Sequence, residues 1–373
     1  MKNEKEEEDS ADPKVSKSSL RSAGSGDAIA AGCSDGRQHH IEPNMFLFQH
    51  LTHDEHGARE TGLPNLGLTC YRNSVYQVLA ESPNFFGTLK GTIEYDMTEK
   101  EEWTFTLCEI LWRILSKSTL RPDIDYWLCR LQTAFAAVDT SFVEYRQNDS
   151  LSFFTSLMCG ITDVLQKRRK QYSVKLNDPS EIFRGQLHDK YTCCKCKQTE
   201  YHATSDFFSL PLPTVESQIP KIGDCLFQFL SAETLKDVFL CSFCNHGIVE
   251  KEIKIKKYPE ILVLQFGMVS GRENFFQRAH KVPKFGEDFN GLSNNIHLTK
   301  IDKGEFSKYT LYGVIAHTGG LTEGHYYAYV KRLDSEEWEL CDDSYVHRVD
   351  VKEVLCSEAY ILFYHKVEKF FKA

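Results

Sequence analysis

The stretch GLPNLGLTCYRNSVYQ, residues 62–77, sets a single cysteine, Cys70, where a glycine-bearing irregular segment turns into a helix-forming one. Thr69 is placed to cap a helix beginning at Cys70, and Gly62 and Gly67 free the backbone before it for close approach. At such a position the unpaired N–H groups and the helix dipole favour a thiolate, the form of cysteine that attacks carbonyl carbon. Most free cysteines are small buried hydrophobes, and on this stretch alone that reading comes first. A nucleophile needs a base and a group that orients the base. The far end of the chain offers both. His325 follows the GGLTEG loop and opens the alternating run HYYAYVKR, and after a turn the run WELCDD delivers Asp342 and Asp343. Two antiparallel neighbours of that length can bring a carboxylate beside the imidazole, fixing its tautomer and stabilising the imidazolium. Singly, His325 reads as a surface histidine and the aspartates as an ordinary turn; with Cys70 they form a nucleophile, a base and an orienting acid.

A second set of sulfur atoms has metal-ligand spacing. Cys193 and Cys196 form one C-x-x-C pair, and Cys241 and Cys244 another. Four thiolates so arranged can hold Zn²⁺ tetrahedrally, a closed structural site with no position left for substrate. The alternative is a set of reduced thiols. Cys194 stands too close to Cys193 to complete the same pattern, and His202 and His246 read as surface residues.

These groups need elements to hold them. Residues from about 61 to 175 carry apolar side chains at helical spacing, in NSVYQVLAESP, EWTFTLCEILWRILSKS and DSLSFFTSLMCGITDVLQKR, with Pro83 stopping the first. After about residue 180 the chain turns to alternating, β-branched and aromatic runs such as FFSLPLP, EILVLQF, YTLYGVIAH and AYILFYH, which read as strands. Helices first and strands later indicate an α+β protein with its active site in the cleft between them. Residues 1–60 are expected to form a largely disordered tail, because the Glu-, Lys-, Ser- and Gly-rich stretch up to about residue 45 has almost nothing to bury against the entropy of ordering.

Composition narrows the partners. A net charge of -9 argues against nucleic acid and fits a partner with a basic tail. The longest apolar runs are far short of a membrane span, and the first residues, MKNEKEEEDS, are charged where a signal peptide would be apolar. No membrane insertion is expected, and a cytoplasmic location, with the nucleus as a second site, follows. In that setting the 13 cysteines read as reduced thiols, metal ligands or catalysts rather than disulfides.

Taken in order, four blocks closely resemble those of the ubiquitin-specific proteases (USPs): GLPNLGLTCYRNSVYQ their cysteine box, YRQNDSLSFF their glutamine and aspartate box, FRGQL with YTCCKC and FFSLPLP their finger region, and YTLYGVIAHTGGLTEGHYYAYV with WELCDDSYVHRV and AYILFYH their histidine box. The resemblance covers about residues 61–366 and leaves a C-terminal tail, 367–373. It implies a papain-like cysteine peptidase of the USP type, with a helical thumb at about 61–175 and fingers of zinc-ribbon type and a β-rich palm at about 176–366. By position it implies Cys70 as nucleophile, His325 as general base and later acid, Asp342 as the orienting residue, Asn65 as the oxyanion-hole amide and Asp343 as its polar support. Gln147 and Asp149 match residues that receive the C-terminal tail of ubiquitin, which carries arginines before its terminal Gly-Gly; a helix cap is their other reading. Gly319, Gly320, Gly324 and Tyr326 would line the narrow channel such an end requires. In four places this sequence departs from the family pattern: Leu68 for a common Asn, Arg72 for a common Met, LSFF for an acidic stretch and LQFGMV for a basic strand. Within the family, the segments around Cys70, Cys225 and His325 look most like its interferon-inducible branch. That branch removes the interferon-stimulated (ISG-type), two-lobed ubiquitin-like modifier from lysines and dampens signalling by the type I interferon receptor. A general deubiquitinase and a non-catalytic scaffold that binds a modifier or a receptor are the alternatives. Some family members keep the fingers without metal, so zinc is an expectation of spacing and resemblance together.

Overall fold

The computed structural model describes residues 62–93, 102–118, 123–136, 138–142, 146–173, 175–213, 222–266, 295–300, 305–319 and 324–367, the side chains at 203, 295–300 and 305–307 excepted. The tail expected at 1–60 and Gly320 lie outside the described residues, as does the C-terminal tail beyond residue 367. Among the described residues five α-helices come first: α1 (Cys70–Ala80), α2 (Phe85–Ile93), α3 (Glu102–Leu115), α4 (Asp123–Phe135) and α5 (Ser150–Tyr172). The spacing that predicts α3 is the spacing it buries, with Trp103, Leu107, Ile110, Leu111 and Ile114 on its inner face. α1 ends at Ala80, just before Pro83. Unlike an ordinary surface helix it is buried along all eleven residues, polar ones included, because it lies between the other helices and a sheet.

Strands follow: β1 (Gly185–Cys193), β2 (Thr199–Phe207), β3 (Leu210–Leu212), β4 (Glu233–Lys236), β5 (Ile248–Lys257), β6 (Ile261–Phe266), β7 (Asn295–Lys300), β8 (Glu305–Thr318), β9 (His325–Lys331), β10 (Trp338–Asp342), β11 (Tyr345–Val349) and β12 (Ala359–Val367). Two short helices, α6 (Ile222–Leu230) and α7 (Val351–Leu355), interrupt them. A four-stranded sheet in the order β2-β1-β5-β4 stands apart from an eight-stranded one in the order β11-β10-β9-β8-β12-β6-β3, with β7 pairing β8. The architecture is the α+β arrangement that the resemblance implies. The segment DCLFQFLSAETL divides between two elements: α6 ends at Leu230 and Glu233 opens β4.

The large sheet is covered on both faces, which explains why β6, throughout, and β12, from Ala359 to Tyr364, are buried at successive positions rather than at every second one. Ile261, Val263, Ile361 and Phe363 face the helices, while Leu262, Leu264, Leu362 and Tyr364 belong to a second core with Ile222 and Leu226 of α6 and Val354 and Leu355 of α7. On the helical side a chain of aromatic rings runs from Trp103 to Phe135, Phe153 and Tyr71, with centroids 5.2, 5.6 and 5.6 Å apart and near-perpendicular planes. Each such pair adds about 0.5–1.5 kcal/mol beyond its burial and ties α1 to α3, α4 and α5. Among the described residues, no helix is long and apolar enough to cross a membrane.

Candidate active site and metal centre

Cys70 is the first residue of α1 and is buried. Thr69 does occupy the position before the helix, yet its side chain does not cap it. Its hydroxyl instead accepts the Leu66 N–H at 3.0 Å, while Asn65 Oδ1 accepts the N–H groups of Gly67 and Thr69 at 3.1 and 3.0 Å. That network bends the chain through positive φ at Gly67 (97°) and Leu68 (56°). Leu68 holds a conformation that disfavours a side-chain-bearing residue, so the turn before the cysteine is strained.

The antiparallel register explains how His325 and Asp342 meet. β10 pairs β9 with Trp338 opposite Lys331 and Cys341 opposite Ala328, so continuing the ladder sets Asp342 opposite Tyr327. His325 is then the diagonal neighbour on the same face, within reach of a carboxylate. Its Nε2 lies 2.6 Å from Asp342 Oδ1. This leaves Nδ1 on the side open to the sulfur of Cys70. The influence of Cys70 is the main cause, with the Asp342 bond behind it, of a His325 pKa raised to about 9 against the opposing effect of burial. At neutral pH the ring is therefore an imidazolium poised between a sulfur and a carboxylate.

Asp343, in the left-handed region at φ 48°, turns the chain from β10 to β11 and holds the segment before the cysteine. Its Oδ1 accepts Asn73 Nδ2 at 2.8 Å and its Oδ2 accepts Asn65 Nδ2 at 2.9 Å. Its backbone carbonyl accepts the Leu63 N–H at 2.8 Å. Burial raises the Asp343 pKa, and the two amides oppose that rise. Gly62 passes so close to this turn that a Cβ there would stand 2.2 Å from the Ser344 carbonyl oxygen.

At its other end α1 is fastened by buried charge. Glu81 follows the helix and accepts Arg332 Nη1 at 2.8 Å and the Leu333 N–H at 2.9 Å, and Arg332 Nε donates to Glu339 Oε2 at 2.5 Å. All three side chains are almost fully buried, and they join α1 to the end of the β9–β10 hairpin remote from His325 and Asp342. Nucleophile helix and base hairpin are thus pinned to each other at both ends.

Beside this centre a cleft of about 700 Å³ runs along α5, lined among others by Gln147, Asp149, Ser152, Ser156, Tyr326 and Tyr360. Gln147 Nε2 donates to the Gly324 carbonyl, leaving its buried Oε1 without a protein partner. Asp149 caps α5 through the Ser152 N–H at 2.7 Å, and its other oxygen accepts the Tyr360 hydroxyl at 2.7 Å and that of Tyr326 at 3.5 Å. Its carboxylate staples α5 to β9 and β12. Gly319, with φ 86°, and Gly324 are not among the residues lining the cleft; the Gly324 carbonyl bonds Gln147, which is.

In the small sheet the four expected cysteines come together. Sγ of Cys193 lies 3.6 Å from that of Cys244, Cys196 is the same distance from Cys241, and all four lie within 4.8 Å of one another. A tetrahedron of sulfurs at the usual Zn–S distance has edges of about 3.8 Å, so the donor set fits zinc. The two pairs are built alike. Cys193 and Cys241 each donate N–H to the carbonyl five residues on, Gln198 and His246, and accept the N–H of the residue four on, Lys197 and Asn245. Both Lys197 and Asn245 have positive φ. Backbone N–H groups of Cys196 and Lys195 lower the Cys193 pKa, while burial and the neighbouring sulfurs push Cys196 and Cys244 up, the opposition expected of thiols crowded into one site without a cation. Neither His202, packed obliquely against Tyr191 and edge-on to Phe239, nor His246 belongs to the cluster.

Sequence reasoning missed Arg332, Glu81 and Glu339, whose union spans two distant parts of the chain with no local signal, and Tyr360 as a partner of Asp149. Chemically, the Cys70 centre can carry out nucleophilic attack on a carbonyl with proton transfer through His325.

Comparison with known proteins agrees with this geometry. The family model "Ubiquitin carboxyl-terminal hydrolase" matches residues 61–364. The chain is similar to ubiquitin carboxyl-terminal hydrolase 25 of Arabidopsis thaliana, 33% identical over 324 residues that cover 82% of this chain and 47% of that one. It is 27% identical to ubiquitin carboxyl-terminal hydrolase 27 of Homo sapiens, over 82% of this chain and 78% of the relative. Against some of its relatives, such as the Arabidopsis protein, the chain spans about half the length. Among solved structures, the SAGA Ubp8/Sgf11/Sus1/Sgf73 DUB module bound to ubiquitin aldehyde shares the fold, with a TM-score of 0.67 and 24% identity over 83% of this chain and 70% of that one.

Proposed function

The chain belongs to the ubiquitin carboxyl-terminal hydrolase family, and from that premise we propose that it is a cysteine isopeptidase that removes ubiquitin, or a ubiquitin-like modifier, from lysine side chains. The observation that carries this reading is the His325 ring held between Cys70 and Asp342. Cys70 attacks the carbonyl carbon of the modifier's terminal glycine, His325 passes a proton to the departing lysine amine, and the resulting thioester is hydrolysed by water that His325 deprotonates. Asn65, oriented by Asp343 through one of its two amide hydrogens, has the other available for the developing oxyanion. One such donor contributes on the order of 3 kcal/mol to lowering the barrier. Gln147, Asp149 and Tyr326, which line the cleft, would border the path of the tail, with the Gly324 carbonyl holding Gln147, and Zn²⁺ held by Cys193, Cys196, Cys241 and Cys244 would fix the tip of the four-stranded sheet.

The names of the relatives favour ubiquitin as the modifier. A narrower reading, favoured by the segments around Cys70 and His325, is an ISG-type modifier together with a negative role in type I interferon receptor signalling. Electrophilic probes made from ubiquitin and from the interferon-stimulated modifier, offered side by side and read by intact mass, decide between them. An adduct at Cys70 with ubiquitin supports the general enzyme, and one with the ISG-type probe alone supports the narrow one. With no adduct from either, the peptidase reading fails in favour of a binding scaffold.

A further inference from the structure

The catalytic centre has two sides, and the cleft along α5 takes up only one of them. Its lining comes from α5 and the residues before it and from β6, β8, β9 and β12, with no described residue of β10 or β11. In the sheet order β11-β10-β9-β8-β12-β6, His325 on β9 and Asp342 on β10 therefore separate the cleft from β11. On that far side stands Tyr345, the first residue of β11 and, at 78%, the most exposed large apolar side chain among the described residues. It pairs directly with Asp342 across the hairpin, so the two side chains rise from the same face of the sheet with Cβ atoms about 5 Å apart. The turn between them is held fast. Asp343 accepts bonds from Leu63, Asn65 and Asn73, and Gly62 lies against the Ser344 carbonyl.

The same junction carries a second exposed apolar side chain. Leu68, two residues before Cys70, is 48% exposed at φ 56°, where a leucine is strained. Asn65 ties this turn to Asp343, since it accepts the N–H groups on either side of Leu68 and donates to the Asp343 carboxylate. One apolar residue on a surface is ordinary. Two of them, one strained, on the two segments that meet at the catalytic centre suit a binding rim.

Resting on the isopeptidase reading, we propose that Tyr345 and Leu68 form a subsite for the acceptor side of the conjugate, packing against the aliphatic stem of the acceptor lysine and an apolar residue beside it in sequence. An amide is planar and trans. One with its acyl chain in the α5 cleft and its carbonyl at Cys70 projects its nitrogen substituent the opposite way, across Asp342 toward β11. The methylenes of the lysine then meet the ring of Tyr345, as such stems do on apolar surfaces. A ring on a fixed turn loses little entropy in that contact, so it can sort acceptors by what flanks the lysine.

Two conjugates test this, each joining a modifier through an isopeptide bond to the lysine of a short peptide. One peptide has leucine and phenylalanine beside the lysine, the other serine at both places. The modifier is whichever of ubiquitin and the ISG-type modifier labels Cys70 as an electrophilic probe. The full chain is expected to prefer the apolar peptide about 10-fold in kcat/KM, the contribution of one well-packed interface tyrosine. Tyr345→Ala should bring that ratio to about 1, and Leu68→Asn, which also relieves the strained φ, should lower it, whereas Tyr345→Phe keeps the ring and should preserve it. Absence of a preference in the wild type, or equal losses with Tyr345→Ala on both conjugates, would reduce the tyrosine to a support of its turn and overturn the proposal, with the peptidase reading intact. No adduct at Cys70 and no cleavage of either conjugate would sink the peptidase reading, and the proposal with it.

Discussion

Gly62→Ala probes the contact that aligns the segment before Cys70 with the turn that follows Asp342. The added Cβ would lie 2.2 Å from the carbonyl oxygen of Ser344 and 2.3 Å from its carbon, both backbone atoms that cannot rotate away. Close carbon–oxygen contacts fall at about 3.3 Å, so the two segments must part by about 1 Å. Three hydrogen bonds cross that gap: Leu63 N–H to Asp343 O at 2.8 Å, Asn73 to Oδ1 at 2.8 Å and Asn65 to Oδ2 at 2.9 Å. Lengthened by that amount each passes out of bonding range, and at about 1 kcal/mol for the neutral bond and 1.5–3 for each bond to the carboxylate the fold loses about 4–7 kcal/mol before relaxation. Asp342 adjoins the displaced residue, and a 1 Å misplacement of catalytic groups costs about 100-fold in rate, equivalent to about 2.7 kcal/mol. The assay is kcat/KM on a modifier with a fluorogenic C-terminal amide, paired with the rate of Cys70 alkylation by iodoacetamide, which needs no substrate. Both should fall, the first about 100-fold, with a lower urea midpoint. Gly87→Ala in α2 is the control: nothing lies within 4 Å of its Cβ, so it should stabilise by about 0.5–1 kcal/mol and leave both rates alone. A folded Gly62→Ala protein with wild-type kcat/KM would refute the reasoning.

Arg332→Met leaves Glu81 and Glu339 buried without their cation and should cost about 3–5 kcal/mol in urea unfolding, much of it recovered when both glutamates are also made glutamine. Cys241→Ser should lower the metal content of the purified protein, read by elemental analysis, and its melting temperature, with Cys194→Ser as a silent control. The His325 pKa is raised from the ordinary 6.5 to about 9, so its contribution to folding is complete below about 6.5 and is lost as pH rises through 9. The stability difference between the wild type and His325→Gln should therefore shrink over that window in urea titrations; a difference that grows with pH would contradict the raised value.

Much of the site was legible because each of its groups sits beside a local signal. Cys70 opens a periodic apolar run, His325 opens an alternating one, and the cysteine pairs carry their own spacing. What stayed hidden depends on contacts between distant segments. Glu81 and Arg332 look like ordinary surface charges until the β9–β10 hairpin lies along α1. Thr69 was well placed to cap, but Leu66 N–H competes for its hydroxyl and wins. The sequence allowed Asp149 to be a cap or a tail receptor, and the cap with its two tyrosines is what the geometry displays. β5, IVEKEIKIKK, alternates as a strand should, yet its many Lys and Glu residues hide it in a search for apolar runs; it is paired on both sides and solvated over much of its surface.

The position of β12 bears on how the protein reaches its folded state. It is the last strand in chain order among the described residues, yet it lies inside the large sheet, with β8 on one side and β6 on the other. Neither neighbour can satisfy its backbone on that side until β12 arrives, and β6 is apolar on both faces. Such long-range pairing predicts slow folding, with two sticky strand edges open in the interim. A chain cut before Ala359 would therefore do more than lose activity: it would present a ready template for aggregation, and a cell making it would meet it as a substrate for chaperones and degradation.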